Sequence, residues 1–404
     1  MTKTKLIQTW RRAPAALCIA HFAFCISNHP SSLDAQPSPD PPPVLIGLLL
    51  PPDETEAAGL RRGVQLGVDR ANQSPGAKVS LLVRGRVGQW GTDGEEAGRM
   101  VLNDGARGLI APPGGAPSHL ALQVAGRTAT PVVSLCPDSS VVGTGIPWMV
   151  RIVPNTGDEA RLLFATFKTN RVVPCPPRVG RPGVYAANPA GRAFRWGALV
   201  PNERAGREAT SDLRQAAAAT SCPLENPVEV SPKLQHLSEI TKHVLAPQPD
   251  GILLWLEATL AGRLAKSLRA AGFKGQFAGP SRLQTADFTT NAGHAAQGFV
   301  LPSSVLDTAS QSVAARFAAD YAQQFGTEPD PTARAAYDAA VLLTDLLRNS
   351  GDHSARRAFP ITSEQPGASG NLKFDRNGNR LLSLELLQFR DGRFTPFAGT
   401  NAHQ

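Results

Sequence analysis

The chain is predicted to fold as an α/β protein of two doubly wound lobes, and three observations predict it. Short apolar runs of buried-strand type recur along the chain. Between them lie stretches with apolar residues at helical spacing, and such alternation builds right-handed βαβ units with parallel sheets. At 404 residues, 42% of them hydrophobic, the chain exceeds one domain on the usual length prior and has enough apolar side chains for real cores. Two doubly wound lobes are the economical solution.

In chain order, 44–50 is the first strand, and 59–72 has the apolar spacing and glycine face of a helix packed on a sheet. Strands are expected at 79–84, 108–111, 131–135, 194–200 and 251–256. Helices are expected at 92–104, 118–127, 158–169, 204–219, 258–271, 311–325 and 331–348. Asn377-Gly378 lies between the apolar runs 372–374 and 381–389, a strong hairpin signal. A second turn at Asp391-Gly392 leads into a strand at 393–397. The spacing Asp375-x-Asn377-x-Asn379 matches the first three ligands of a calcium loop. It fails as one, because Gly378 is at the wrong position and no acid follows where the bidentate ligand belongs. The 35 prolines and 37 glycines fall largely in turns and linker-like stretches.

Residues 1–35 read as a signal peptide. Lys3, Lys5, Arg11 and Arg12 precede an apolar run over 13–26, and a proline-rich linker over 36–43 follows. That run is short for a bilayer span, so the expected location is periplasmic or secreted. An uncleaved anchor, or lipidation at Cys25, stays open. Removing the four basic residues and one acidic residue of this segment takes the formal charge from +8 to +5. No dense Lys/Arg block with interleaved aromatics remains, which argues against nucleic acid as partner.

Cys136, Cys175 and Cys222 lie beyond the leader. Cys136 follows an apolar run and reads as a buried thiol. Cys175 and Cys222 sit in proline-containing loops and form the candidate disulfide. No CxxC or zinc spacing occurs, and the histidines lie apart. A Walker A loop, HExxH, a Gly-x-Ser-x-Gly elbow and a well-set Ser-x-x-Lys pair are all missing, so no catalytic residue, metal or cofactor is expected.

Six motifs follow one another in a telling order. Leu60–Asn72 is a helix with a glycine-rich face; Arg151-Ile152-Val153-Pro154 precedes Asp158; Phe277-Ala278-Gly279-Pro280 ends a strand. Phe317, Tyr321 and Phe325-Gly326 share a helix, and Ala335-Ala336-Tyr337-Asp338-Ala339 precedes Gly370-x-x-x-Phe374-Asp375-x-x-Gly378-x-Arg380. Together they resemble the type I periplasmic solute-binding proteins of the branched-chain amino acid (Leu/Ile/Val) class, over most of residues 44–400. The resemblance implies two Rossmann-like lobes joined by three crossovers, placed near 150–155, 299–304 and 370–374. The first lobe would comprise 44–150 plus 304–370 and the second 151–303 plus 371–400. It also implies a monomer that captures an amino acid or similar small polar compound and delivers it to an ABC transporter permease. A sensing or scaffold module of the same fold, engaging a membrane receptor or another protein, is the other class.

The resemblance places a ligand in the interlobe cleft. Gly114, Gly115 and Ser118, between a strand end and a helix, are placed to cradle a carboxylate, with Ser118 as a plain N-cap the alternative. Asp138, Ser139 and Ser140 correspond to a second ligand loop, and Asp138 equally suits an Asx-turn. Glu257 is placed either to pair with a ligand ammonium or to start a helix. Ser281 and Arg282 stand after Gly279-Pro280, where the family usually has a glutamate for the ammonium. Arg282 therefore hints at an anionic or differently oriented ligand.

Overall fold

The computed structural model describes residues 43–51, 54–85, 92–169, 172–174, 185–187, 193–233, 237–306, 309–349, 359 and 364–397. The expected signal peptide, nearly all of the linker, Cys25 and Cys175 lie outside the described residues.

Strands β1 (Val44–Leu49), β2 (Val79–Arg84), β3 (Gly108–Ala111), β4 (Val132–Ser134) and β5 (Met149–Arg151) pair in the all-parallel order β2-β1-β3-β4-β5. Helices α1 (Glu54–Asn72), α2 (Thr92–Leu102) and α3 (Gly115–Thr128) connect the first four. Central strand β3 is buried along its length, as a sheet covered on both faces requires.

From the first sheet the chain runs through α4 (Thr156–Thr169) to an antiparallel ribbon, β6 (Val172–Pro174) with β7 (Tyr185–Ala187). The second lobe alternates β8 (Trp196–Pro201), α5 (Arg204–Thr220), β9 (Val228–Val230), α6 (Ser238–Leu245), β10 (Gly251–Leu254), α7 (Ala258–Ala270), β11 (Gln276–Ala278), α8 (Ala286–Ala292) and β12 (Val300–Ser304). Next come α9 (Val313–Phe325), α10 (Pro331–Asn349), β13 (Leu384–Arg390) and β14 (Arg393–Pro396). The second sheet has the order β14-β13-β12-β11-β10-β8-β9, parallel except for β13 and β14.

Helices α9 and α10 return to the first lobe. Leu342, Leu343 and Leu346 of α10 share a core with Ile46 and Leu48 of β1 and Leu60 and Val64 of α1. A Cβ on Gly63 would lie 2.2 Å from the Ala333 carbonyl oxygen, so only glycine lets these two helices approach so closely. The second lobe buries Trp196 amid Phe164, Phe167 and Phe194 on one face, with α7 and α8 on the other. Each fully buried side chain of this size contributes about 1.5 to 3 kcal/mol.

The expected 372–389 hairpin is reduced to an isolated bridge, Phe374 with Arg380, and the real hairpin is β13–β14. Asp375 is the cause: its carboxylate accepts the Asn377 and Asn379 amides at 2.9 and 2.8 Å and curls the turn on itself. The Arg151 amide donates to Gly378 at 2.9 Å, so this turn edges the first sheet. A Cβ at Gly378, φ +82°, would lie 2.4 Å from the Met149 carbonyl oxygen. Leu372 and Phe374 belong to the first core. The third crossover therefore lies at 381–383, later than the 370–374 expected.

Candidate functional site

The carboxyl ends of β3, β4, β11 and β12 lead into one cavity of about 150 Å³ between the lobes. Such strand ends are where doubly wound sheets leave open crevices. Pro113, Leu135, Ile152 and Val153 supply apolar wall from the first lobe and the crossover, and Pro280 from the second. Ser281, Arg282, Gln284 and Ser303 add polar groups from the second lobe, and Thr332 and Arg334 from α10.

Glu159 is the deeply buried acid of this wall. It sits in the first turn of α4, 2% exposed, on the helix face that buries Leu163, Phe164 and Phe167. Its Oε1 accepts the Ser281 amide at 2.9 Å. Burial raises its pKa to about 7, against the opposing pull of the Ser281 hydrogen bonds and the Arg282 charge. Arg282 donates to the Leu256 carbonyl at 3.3 Å. Arg334 donates from Nη1 to the Ala314 and Ala368 carbonyls, both at 3.4 Å. Burial lowers the pKa of both guanidiniums, while nearby acids oppose it.

Arg380 also borders the cavity, but its donors are engaged. They reach the carbonyls of Ile152, Ser369, Gly370 and Asn371 and the Ser369 hydroxyl. The Ser369 hydroxyl donates onward to Asp338 at 2.5 Å, and Asp338 accepts the Ala368 and Ser369 amides as well. The Asp338 and Arg380 of the two closing motifs thus meet at Ser369 and staple the 367–371 segment to α10 and the crossover. Desolvation raises the Asp338 pKa, with the Arg380 charge opposing it.

Of the residues expected to touch a ligand, Ser281 and Arg282 line this cavity, and the others are engaged elsewhere in the protein. Gly114 is the N-cap of α3 with extended backbone, so Ser118 lies inside the helix and not at its cap. The Ser118 hydroxyl is fully buried, 2.9 Å from that of Ser134 and 3.3 Å from the Pro112 carbonyl. Gly115 opens α3, and from this loop it is Pro113 that reaches the cavity.

Asp138 caps the single turn 139–141 by accepting the Ser140 amide and hydroxyl at 2.8 and 2.7 Å. Burial works to raise its pKa, but the nearby His119 and the Ser140 hydrogen bonds outweigh it and hold the value at about 2. The His119 Nε2 stands 3.6 Å from Oδ2, an ion-pair distance longer than a good hydrogen bond. Ser139 donates across the cleft to Asp212 of α5 at 2.8 Å. Glu257 is the exposed N-cap of α7, accepting the Thr259 and Leu260 amides at 2.8 and 2.5 Å. Cys222 bears a buried free thiol that donates to the Phe194 carbonyl at 3.7 Å. Cys136 is likewise free, and burial pushes its pKa up to about 12.

Sequence reasoning passed over Glu159 and Arg334. Glu159 had a readable signal, a charge on the helix face that Ala160 and Leu163 mark as buried, whereas Arg334 is half-buried on the less buried side of α10. Among the described residues no group of three His, Cys, Asp or Glu is placed to hold a metal ion, and no helix is long and apolar enough to cross a membrane.

The model of the family described as periplasmic binding protein matches residues 44–376. No curated protein matches the chain by sequence. A leucine-binding protein of Thermotoga maritima has a similar structure, with a TM-score of 0.74 at 17% identity, covering 88% of this chain and 98% of its own. A solute-binding protein of an ABC transporter from R. palustris, in complex with benzoate, gives 0.74 at 16% identity over 88% and 95%. A branched-chain amino acid transporter substrate-binding protein of Streptococcus pneumoniae, in complex with isoleucine, gives 0.73 at 13% over 87% and 97%. At these identities the likeness is one of fold.

Proposed function

Because the chain belongs to the periplasmic binding protein family, we propose that it captures a small solute between its lobes and delivers it to the permease of an ABC importer. The observation that carries this reading is the cavity at the strand ends, lined by apolar wall and by charged side chains from both lobes. Leucine, isoleucine and benzoate, held by proteins of the same fold, set the scale: an amino acid or similar small amphipathic compound.

In this reading the chain acts outside the cytoplasm, as a monomer, by binding alone. The lobes hinge about the crossovers at 152–155, 305–306 and 381–383, and a solute touching both lobes stabilises their approach. Thermal unfolding of the purified protein against amino acids, amides, aliphatic acids, benzoate and polyamines tests it. A solute at a hundredfold over its dissociation constant adds about 2.7 kcal/mol and moves the midpoint by a few degrees. A folded sample that responds to no compound overturns the reading.

A further inference from the structure

We propose that the captured solute is an organic anion without an ammonium group, its carboxylate shared between Arg282 of the second lobe and Arg334 of the first. This rests on the cavity being the solute site and names the chemistry that the site accepts.

Five ionisable side chains border the cavity: Glu56, Glu159, Arg282, Arg334 and Arg380. Arg380 is taken up by four carbonyls and the Ser369 hydroxyl, with Asp338 behind it. Arg282 and Arg334 differ. A guanidinium offers five N–H donors in a rigid fork. Arg282 commits one nitrogen to a bond of 3.3 Å, and Arg334 one nitrogen to two bonds of 3.4 Å. No nitrogen of either is a buried atom without a partner, so the remaining donors are accessible, and both residues line the cavity. The turn 281–283 and helix α10 are in contact across the cleft, so the one cavity takes a guanidinium from each lobe. A carboxylate, with two oxygens and about four lone-pair sites, is the group that two such forks share.

The groups needed for an ammonium are weak by comparison. Glu159 already accepts the Ser281 amide beside Arg282, and its burial keeps a proton on the carboxyl up to about pH 7. A carboxylic acid holds no ion pair with an ammonium, whereas its O–H can donate to a ligand carboxylate. Glu56 is half-buried, engaged within the chain and electrostatically coupled to Arg282. The rest of the wall, with Pro113, Leu135, Ile152, Val153 and Pro280, suits an apolar body.

The test is calorimetric titration and thermal shift of the full chain at pH 7 with two charge series. One is leucine, 4-methylpentanoate, 3-methylbutylamine and 4-methylpentanamide; the other is phenylalanine, 3-phenylpropanoate, 2-phenylethylamine and 3-phenylpropanamide. The carboxylate-only member of at least one series is expected to bind at least tenfold more tightly than its zwitterion, amine and amide. Arg282→Met and Arg334→Met are each expected to weaken it at least tenfold. Arg334→Lys, which keeps the charge and loses the fork, is expected to fold and to retain part of the affinity. Preference for a zwitterion or amine overturns the anion assignment and leaves solute capture standing. Unchanged carboxylate affinity in either methionine variant also overturns it. Binding of no member by the wild type overturns the assignment together with the reading of the cavity as a solute site.

Discussion

The loop after β4 in the first lobe and the loop after β11 in the second leave their sheets at the same end, yet their polar groups go to different uses. In Cys136–Ser140, Asp138 folds back on Ser140, Arg151 donates to the Asp138 carbonyl at 2.7 Å, and Ser139 reaches Asp212. The polar side chains of this loop are spent on the protein, and only Leu135 and Pro137 from this stretch touch the cavity. In Gly279–Gln284, the Ser281 amide meets Glu159, and Arg282 keeps most of its fork open. The two carboxylates show the contrast in their proton affinities: Asp138, which takes the Ser140 amide and hydroxyl on one oxygen and faces His119, is held at about 2, and Glu159, buried on the Ser281 amide, rises to about 7. What makes a strand-end loop a binding loop is therefore the shortage of local partners. The presence of polar residues is not enough.

The contrast breaks first at Arg151. It is 1% exposed and ties the Asp138 carbonyl to the Asn379 side chain, so Arg151→Met strands two acceptors and is expected to cost about 1 to 3 kcal/mol of stability for each. Urea unfolding measures this; a loss of solute affinity with stability unchanged would place the first loop in the site after all. The next effect belongs to Glu159. Its carboxyl holds a proton from the ordinary value of 4.5 up to about 7, a window in which the unfolded chain has released it. The folded state binds more protons there, so its stability falls as pH rises through that window, by about 3 kcal/mol at most. Glu159→Gln is expected to flatten this slope between pH 5 and pH 8, and a wild type without it would return Glu159 to an ordinary carboxylate. Smallest is Glu257→Ala, which removes the cap of α7 at about 1 kcal/mol and leaves solute affinity unchanged; altered affinity would bring Glu257 back to the cleft.

The two lobes, their parallel sheets and most helices were legible in the sequence because periodicity and apolar runs report burial directly. Arg282 was legible too, as a charge standing where the resemblance leads one to expect a different residue. Ser118, Asp138 and Glu257 looked equally suited to a ligand, because residue type shows what a side chain can donate or accept and not who answers. Ser134, Ser140 and the first amides of α7 answered. Glu159 and Arg334 were missed for the converse reason: each is embedded in an amphipathic helix, where a charge near the end reads as helix dipole or solvent face. The third crossover moved because the Asp375 turn ties Gly378 to Arg151, a tertiary contact that no local pattern carries.

The seating of α10 against α1 also sets a schedule for folding. The glycine face of α1 finds its partners, Ala333, Ala336 and Ala340, only on a helix that follows β12 and most of the second lobe in sequence. A growing chain can complete most of the second sheet while the first core still lacks one wall. Contacts between such distant segments close slowly, because the intervening chain must first be brought together. The first lobe is thus the late folder, and until α10 arrives its exposed leucine and valine face is what a chaperone would grip and an aggregate would grow from.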